Sequence, residues 1–171
     1  MSELMSESMG ELMAQSSGQP PLRAGELDAM QAALDEARQA ALAGEVPVGA
    51  VVMNASGIVA RAQNRMRRNA DATAHAELLA LRDAMRVVGD ERLPGCTLVV
   101  TLEPCAMCAG AIVLSRVDRL VFGSWDPKAG MCGSVGDVVR HPKLNHAPEV
   151  RGGVLEAESA GLLRAFFAAR R

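Results

Sequence analysis

Two stretches of the chain decide its fold and its chemistry, 101-TLEPCAMCAG-110 and 73-TAHAELLALR-82. The first places Cys105 and Cys108 three residues apart, directly after Pro104. A proline is typical of the first turn of a helix, and residues three apart share a helix face, so both sulfurs can reach one metal ion. Alone, a C-x-x-C pair fits a redox dithiol, half of a structural zinc site or two core thiols.

A histidine in the second stretch narrows this choice. His75 follows Asp71 and Thr73, both candidate N-caps, so it is also predicted to begin a helix. Glu77 comes two residues later; inside a helix such a pair points to opposite sides, but at the first turn both side chains reach the space beyond the helix end. Two helix starts facing one point would hold His75 and the two cysteines around Zn²⁺, leaving a fourth position for water, as in a catalytic site.

The charges of this group are consistent with a catalytic site. Zn²⁺, two thiolates and a neutral imidazole sum to zero, and helix N-termini favour the thiolate form of cysteine. Glu77 is the obvious base, because a glutamate can accept a proton from water and return it to a substrate nitrogen. Cys96 and Cys132 stay open as a fourth ligand of a closed, structural site, although ordinary buried thiols are the simpler interpretation.

Hydrophobic periodicity predicts an α/β fold. The order is α-β-β-α-β-α-β-(α)-β-α, and strands that alternate with helices predict a partly parallel sheet with helices on both faces, in three layers. Residues 25–171 form one domain, while residues 1–24, rich in Ser, Gly, Glu and Pro, are expected to be a disordered tail. The predicted helices are 26–43, 74–88, 105–115, a short one near 137–141, and 155–170; the predicted strands are 46–53, 58–62, 98–101, 119–123 and 149–154.

Composition limits the class of protein. The 171 residues, 49% of them hydrophobic, suffice for one domain with a core. No apolar run approaches the roughly 20 residues of a membrane helix, and the first residues lack the features of a signal peptide, so we expect a cytoplasmic protein without a membrane partner. A net charge of −2 does not itself indicate nucleic acid. Arginines cluster within 61–68 and at the C-terminus. Such clusters can contact nucleic acid, but on their own they are more simply interpreted as a solvated face.

The motifs H-A-E and P-C-A-M-C together are the signature of zinc nucleobase deaminases, and the chain resembles that superfamily. More closely, it resembles the bacterial tRNA-specific adenosine deaminases from about residue 27 to the C-terminus. The zinc motif alone suits any cytidine, guanine or adenosine deaminase, and the flanking stretches narrow the choice. The stretches that carry the resemblance are 45-EVPVGAVV-52, 63-QNR-65, 71-DATAHAELLALR-82, 101-TLEPCAMCAGA-111, 121-VFG-123, 126-DPKAG-130, 145-NH-146 and 166-FFAARR-171.

The resemblance implies a reaction and a set of roles. His75, Cys105 and Cys108 would bind one Zn²⁺, and Glu77 would shuttle protons while zinc-activated hydroxide attacks C6 of the wobble adenosine, position 34 of tRNA, to give inosine. The implied fold is a five-stranded mixed sheet between helices, its last two strands parallel. The implied assembly is a homodimer that binds the tRNA anticodon stem-loop near its interface.

The resemblance also implies substrate contacts. Asn64 and the backbone of Ala76 would bind the flipped base, with Val46 in its apolar wall. Further contacts are expected at Arg65, Arg68, Asp126, Arg170 and Arg171. Two departures from the usual family pattern are Ala72, where proline is common, and Trp125. The alternatives are a zinc-dependent deaminase of a free base or nucleoside, such as guanine or cytidine, and a non-catalytic zinc protein that binds RNA.

Overall fold

The computed structural model describes residues 18–171 and contains five strands and five helices in that range. The strands are β1 (Gly49–Asn54), β2 (Gly57–Gln63), β3 (Thr97–Leu102), β4 (Arg119–Ser124) and β5 (Glu149–Arg151). The helices are α1 (Glu26–Leu42), α2 (Met66–Asn69), α3 (Ala76–Val88), α4 (Ala106–Ser115) and α5 (Glu156–Ala168). In the described part of the chain, no helix is both long and apolar enough to cross a membrane.

The strands form one mixed sheet in the order β2-β1-β3-β4-β5. The hairpin strands β1 and β2 are antiparallel, and β1 is also antiparallel to β3. Strands β3, β4 and β5 are parallel, because a helix or long loop crosses over between successive strands. The predicted five-stranded mixed sheet, with its last two strands parallel, is confirmed.

Helices cover both faces of the sheet, as predicted. Successive side chains of a strand point to opposite faces. Val51, Val99 and Val121 therefore pack on one face with α1, with Val154 just before α5 and with Leu162 within it. Their neighbours, including Val100 and Phe122, pack with α3 and α4 on the other. Since both faces are buried, β3 and β4 read as nearly continuous apolar runs.

Several predicted boundaries were wrong, for local reasons. Strand β1 begins at Gly49, not 46, because the Val46 carbonyl accepts the N–H of Val48 at 2.8 Å and leaves the ladder. Strand β5 ends at Arg151, and Gly153, at φ 79°, then turns the chain. The helix predicted near 137–141 is absent; the Asp137 carboxylate instead accepts the Arg140 N–H at 3.1 Å in a turn.

A buried ion pair joins the N-terminal segment to the sheet. Arg119, at the start of β4, is fully buried, and its Nε lies 2.5 Å from Glu26 Oε1 in the first turn of α1. Its Nη2 also donates to the carbonyl of Pro21 at 2.8 Å, and the Gln19 side chain accepts the Gly152 N–H at 2.7 Å. Residues 18–24 of the predicted tail therefore lie against the domain, while residues 1–17 lie outside the described residues.

Candidate zinc centre and substrate groove

The two predicted motifs meet at the starts of two helices. His75 is the N-cap residue of α3 and Cys105 that of α4, and both have extended backbone angles (φ −74° for each) that aim the side chain past the helix end. Cys108, buried in the first turn of α4, lies on the same side as Cys105. The convergence that the sequence predicted is therefore present.

The distances within this group fit zinc. His75 Nδ1 lies 3.6 Å from Cys105 Sγ and 3.6 Å from Cys108 Sγ. With Zn–S of about 2.3 Å and Zn–N of about 2.05 Å, tetrahedral geometry separates nitrogen from sulfur by about 3.6 Å. Thiolate and imidazole donors are also the types that zinc takes in proteins. The three ligand atoms thus stand where a bound zinc ion needs them.

The metal-binding group in the described residues consists of these three side chains alone, whose ligand atoms all lie within 4.8 Å of one another. Cys132 is buried close by, but its sulfur faces the carbonyl of Pro104 at 3.9 Å, and Cys96 lies at the opposite end of β3. Neither supplies a fourth ligand. Three protein ligands leave a position open, which is the arrangement of a catalytic zinc site.

Hydrogen bonds prepare Cys105 for metal binding. The Cys108 thiol and then the His75 ring donate to its sulfur, which lowers the pKa of Cys105 to about 3. Since it is the donor of that bond, Cys108 has a raised pKa, and the pKa of His75 is raised mainly by its bond to Cys105. The group therefore holds thiolate charge at neutral pH, and a cation is its natural partner.

Glu77 lies beside the metal-binding group without belonging to it. It is in the first turn of α3 and only 4% exposed. Burial raises the pKa of its carboxyl to about 7. A group that gains and loses protons near neutral pH is suited to general acid–base catalysis.

Asn64 makes hydrogen bonds to both of the other predicted base-binding positions, Ala76 and Val46. Its Oδ1 accepts the Ala76 N–H at 3.0 Å, and its Nδ2 donates to the Val46 carbonyl at 3.2 Å. It thereby satisfies a free N–H at the start of α3. The predicted cap was wrong, because Asp71 Oδ1 accepts the Thr73 N–H in a separate turn. A base could take the Ala76 N–H only if Asn64 released it.

Val46 also lines a groove of about 630 Å³ between α5 and the loop after β4. Trp125 and Asp126 line the same groove, and Phe167, 49% exposed, supplies an aromatic wall. The groove continues along α5 to the C-terminus, where its cationic side chains are Lys128, Arg164, Arg170 and Arg171. Leu163 and Phe167, which the sequence reasoning missed, were detectable as an i, i+4 apolar pair on α5.

Not every predicted contact residue is free to bind substrate. The Asp126 carboxylate accepts the N–H groups of Lys128 and Ala129 and so shapes its own loop. Arg68 donates to the Asn64 carbonyl at 3.2 Å and lies 3.7 Å from Glu45, away from the groove. Arg65 is exposed, but like Arg68 it is not among the residues that line the groove. The guanidinium of Arg170 stacks on the Phe166 ring at 3.4 Å, with Arg171 beside it.

Comparison with known proteins agrees with this geometry. Residues 25–124 match the family model for the cytidine and deoxycytidylate deaminase zinc-binding region. The chain is 49% identical over 138 residues to the tRNA-specific adenosine deaminase of Bacillus subtilis (strain 168), covering 81% of this chain and 86% of that protein.

Solved structures give the same result. One from a study of A-to-I editing by tRNA:A34 deaminases at the wobble position has a TM-score of 0.77 and 47% identity, over 80% of this chain and 99% of that one. The guanine deaminase of Nitrosomonas europaea has a TM-score of 0.74 at 25% identity, over 92% of each chain. The chain therefore belongs to the zinc-binding cytidine and deoxycytidylate deaminase family and, within it, to the tRNA-specific adenosine deaminases.

Proposed function

We propose that this enzyme hydrolyses adenosine to inosine at the wobble position, 34, of tRNA. The observation that carries the proposal is the open three-ligand zinc site with the buried Glu77 carboxylate beside it. A purely structural zinc site has no need of such a carboxylate. The choice of substrate is supported by the 49% identity to a tRNA-specific adenosine deaminase, against 25% to a guanine deaminase. With a tRNA substrate, the proposed location is the cytoplasm.

His75, Cys105 and Cys108 would hold the zinc ion. When bound, zinc lowers the pKa of a water molecule and supplies the nucleophile of the hydrolysis. Glu77 accepts the proton of the water that adds to C6 and passes it to the adjacent ring nitrogen. Glu77 then takes the proton of the new C6 hydroxyl and delivers it to the exocyclic nitrogen as the bond between that nitrogen and C6 breaks. Ammonia leaves, and the carbonyl of inosine remains at C6.

The groove suits a base presented from a single-stranded loop. Extruding an already unpaired base costs little, so affinity must come from the flanking phosphates and bases. Lys128, Arg164, Arg170 and Arg171 offer the charge for phosphate contacts, and the exposed ring of Phe167 offers a face for stacking. Val46 and Asn64 connect this groove to the start of α3, where His75 lies.

A homodimer is proposed from the surface of α4. This helix, AMCAGAIVLS, has no charged residue, and a helix that is apolar all round is normally buried on every side. One side packs in the core, but Leu114 is 78% and Met107 36% exposed. Leu114 and Ala111 continue into a groove shared with Leu78 and Met85 of α3. A second copy of the chain would cover this face.

Sedimentation tests the dimer. The wild type is expected to sediment as a dimer at micromolar concentration, and Leu114→Glu as a monomer, because a charge would be buried unpaired at the interface. Leu42→Glu is the matched control, since Leu42 is 81% exposed at the end of α1. A monomeric wild type would contradict the proposal.

The proposed substrate is tested by comparing turnover on different substrates. Zinc-loaded enzyme is incubated with an anticodon stem-loop carrying A34, and separately with free adenosine, cytidine and guanine, while ammonia release is followed. We expect deamination of the stem-loop and none of the free compounds. Turnover of free guanine equal to that of the stem-loop would favour a free-base deaminase. Zinc binding without turnover of any substrate would favour a non-catalytic protein.

A further inference from the structure

We propose that Glu103 is a positioning residue that fixes one wall of the substrate groove to the zinc-binding segment. This inference rests on the function proposed above, since it concerns how the same groove holds its RNA. Glu103 is buried, at 2% exposed, between the end of β3 and Pro104. It does not belong to the metal-binding group, so it acts on the site only through the residues that it holds.

The Glu103 carboxylate accepts hydrogen bonds from a loop that comes much later in the chain. Its Oε2 accepts the Asp126 N–H at 2.8 Å, and its Oε1 accepts the N–H groups of Cys132 at 3.1 Å and Ser134 at 3.0 Å. The Ser134 hydroxyl also donates to Oε2. Hydrogen bonds to an ionised acceptor are roughly twice as strong as neutral ones. One side chain thus ties down both ends of the segment 126–134.

The same residue is held firmly on the zinc side. The Glu103 N–H donates to the Ser124 carbonyl at 2.8 Å, and the neighbouring Pro104 carbonyl accepts the Met131 N–H at 2.9 Å. Cys105, the next residue, is a metal-binding residue. The loop tied by Glu103 supplies Asp126 and three other groove-lining residues, Trp125, Pro127 and Lys128. The position of this wall relative to the zinc site therefore depends on the Glu103 carboxylate.

Gly130 gives a second, independent sign of this contact. A Cβ at Gly130 would lie 2.2 Å from Glu103 Oε2 and 2.6 Å from the Asp126 carbonyl. The loop can close over the carboxylate only because this position has no side chain. Gly130→Ala is therefore expected to push the loop away while leaving Glu103 itself intact.

Glu103→Gln tests the proposal directly. Glutamine keeps one acceptor oxygen but turns an NH₂ group towards the backbone donors, so at least one N–H loses its partner. We expect the KM for the stem-loop to rise roughly tenfold, with kcat within about threefold of the wild type. Zinc content should stay at the wild-type level. Hydrogen exchange should quicken at the amides of Asp126, Cys132 and Ser134 but not in α4.

Two further variants disturb the same contact, one more mildly than Glu103→Gln and one from the loop side. Ser134→Ala removes one donor and keeps the carboxylate, so it should raise KM less than Glu103→Gln does. Gly130→Ala should reproduce the rise in KM and the faster exchange, and it carries the test should Glu103→Gln fail to fold. Glu158→Gln, at an exposed glutamate outside both the loop and the groove lining, is the control and should match the wild type.

The outcomes separate this inference from the proposed function. Unchanged KM and unchanged loop exchange in both Glu103→Gln and Gly130→Ala would overturn the inference, as would loss of zinc from Glu103→Gln, which would make the residue part of the metal site. A wild type that does not deaminate the stem-loop would refute the function instead. In that case the exchange measurements would still decide whether Glu103 fixes the loop.

Discussion

Replacing Glu77 by glutamine isolates the proton-transfer step from metal binding and folding. Glutamine has nearly the same shape as glutamate but cannot accept a proton. Glu77 lies outside the metal-binding group, so zinc should stay bound. Glu77 is only 4% exposed, and burial raises the pKa of its carboxyl to about 7, which means that the site disfavours the charged form. A neutral amide of the same size should therefore be tolerated.

The size of the effect follows from the number of protons that Glu77 handles. One general acid–base step typically contributes about 10²–10⁴-fold. The proposed mechanism routes through Glu77 the proton of the attacking water, the transfer to the ring and the transfer to the leaving amine. We therefore expect a loss in kcat of at least about 10⁴-fold, which is about 5.4 kcal/mol in activation free energy.

The assay is single-turnover deamination of an anticodon stem-loop with enzyme in excess, so that product release does not mask the chemical step. Metal analysis and thermal unfolding of the same samples report zinc content and folding. Glu158→Gln, the same change at an exposed glutamate of α5 outside the groove lining, is the control and should keep the wild-type rate. A Glu77→Gln enzyme that keeps zinc and more than about one-tenth of the rate would remove Glu77 from the mechanism.

Three further predictions concern the metal, the fold and the RNA. Cys108→Ala should lose zinc and melt at lower temperature, whereas Cys132→Ala should keep its zinc; metal analysis decides, and an empty site in Cys132→Ala would mean a closed, structural centre. Arg119→Ala leaves Glu26 buried without its partner and should cost about 3–5 kcal/mol, roughly 6–20 °C in Tm, so an unchanged Tm would refute that expectation. Arg170→Ala should flatten the slope of log affinity against log salt by about 0.7, and an unchanged slope would exclude a phosphate contact.

The sequence was sufficient for the centre of the site because local rules determine it. Cys105 and Cys108 are three apart on one helix, and His75 stands at a helix start, so each motif could be placed from its neighbours alone. The sheet was predictable for the same reason, since long apolar runs read as buried strands. Helix and strand ends were less predictable, because they depend on backbone turns that hydrophobic periodicity does not show. The carbonyl of Val46, for example, leaves the β1 ladder to accept the Val48 N–H.

Residues whose side chains bind backbone groups distant in the sequence could not be identified from the sequence alone. Nothing in the spacing of Glu103 indicates that its carboxylate meets N–H groups 23 to 31 residues later in the chain. The Asn64 side chain stabilises the start of α3, although Asp71 and Thr73 are closer in sequence and have the expected residue types. Helix α2, Met66–Asn69, is too short to show a hydrophobic period. For Glu103 and Asn64, the deciding contact is with a distant segment of the chain.

Sequencing of tRNA after incubation with the enzyme tests the proposed reaction itself. Total tRNA is treated with the zinc-loaded wild type and, in parallel, with Glu77→Gln, and inosine is read at every position. We expect conversion of adenosine to inosine at position 34 by the wild type and none by the variant. Absence of inosine at position 34 from the wild-type reaction, with zinc bound and the protein folded, would contradict the proposed function.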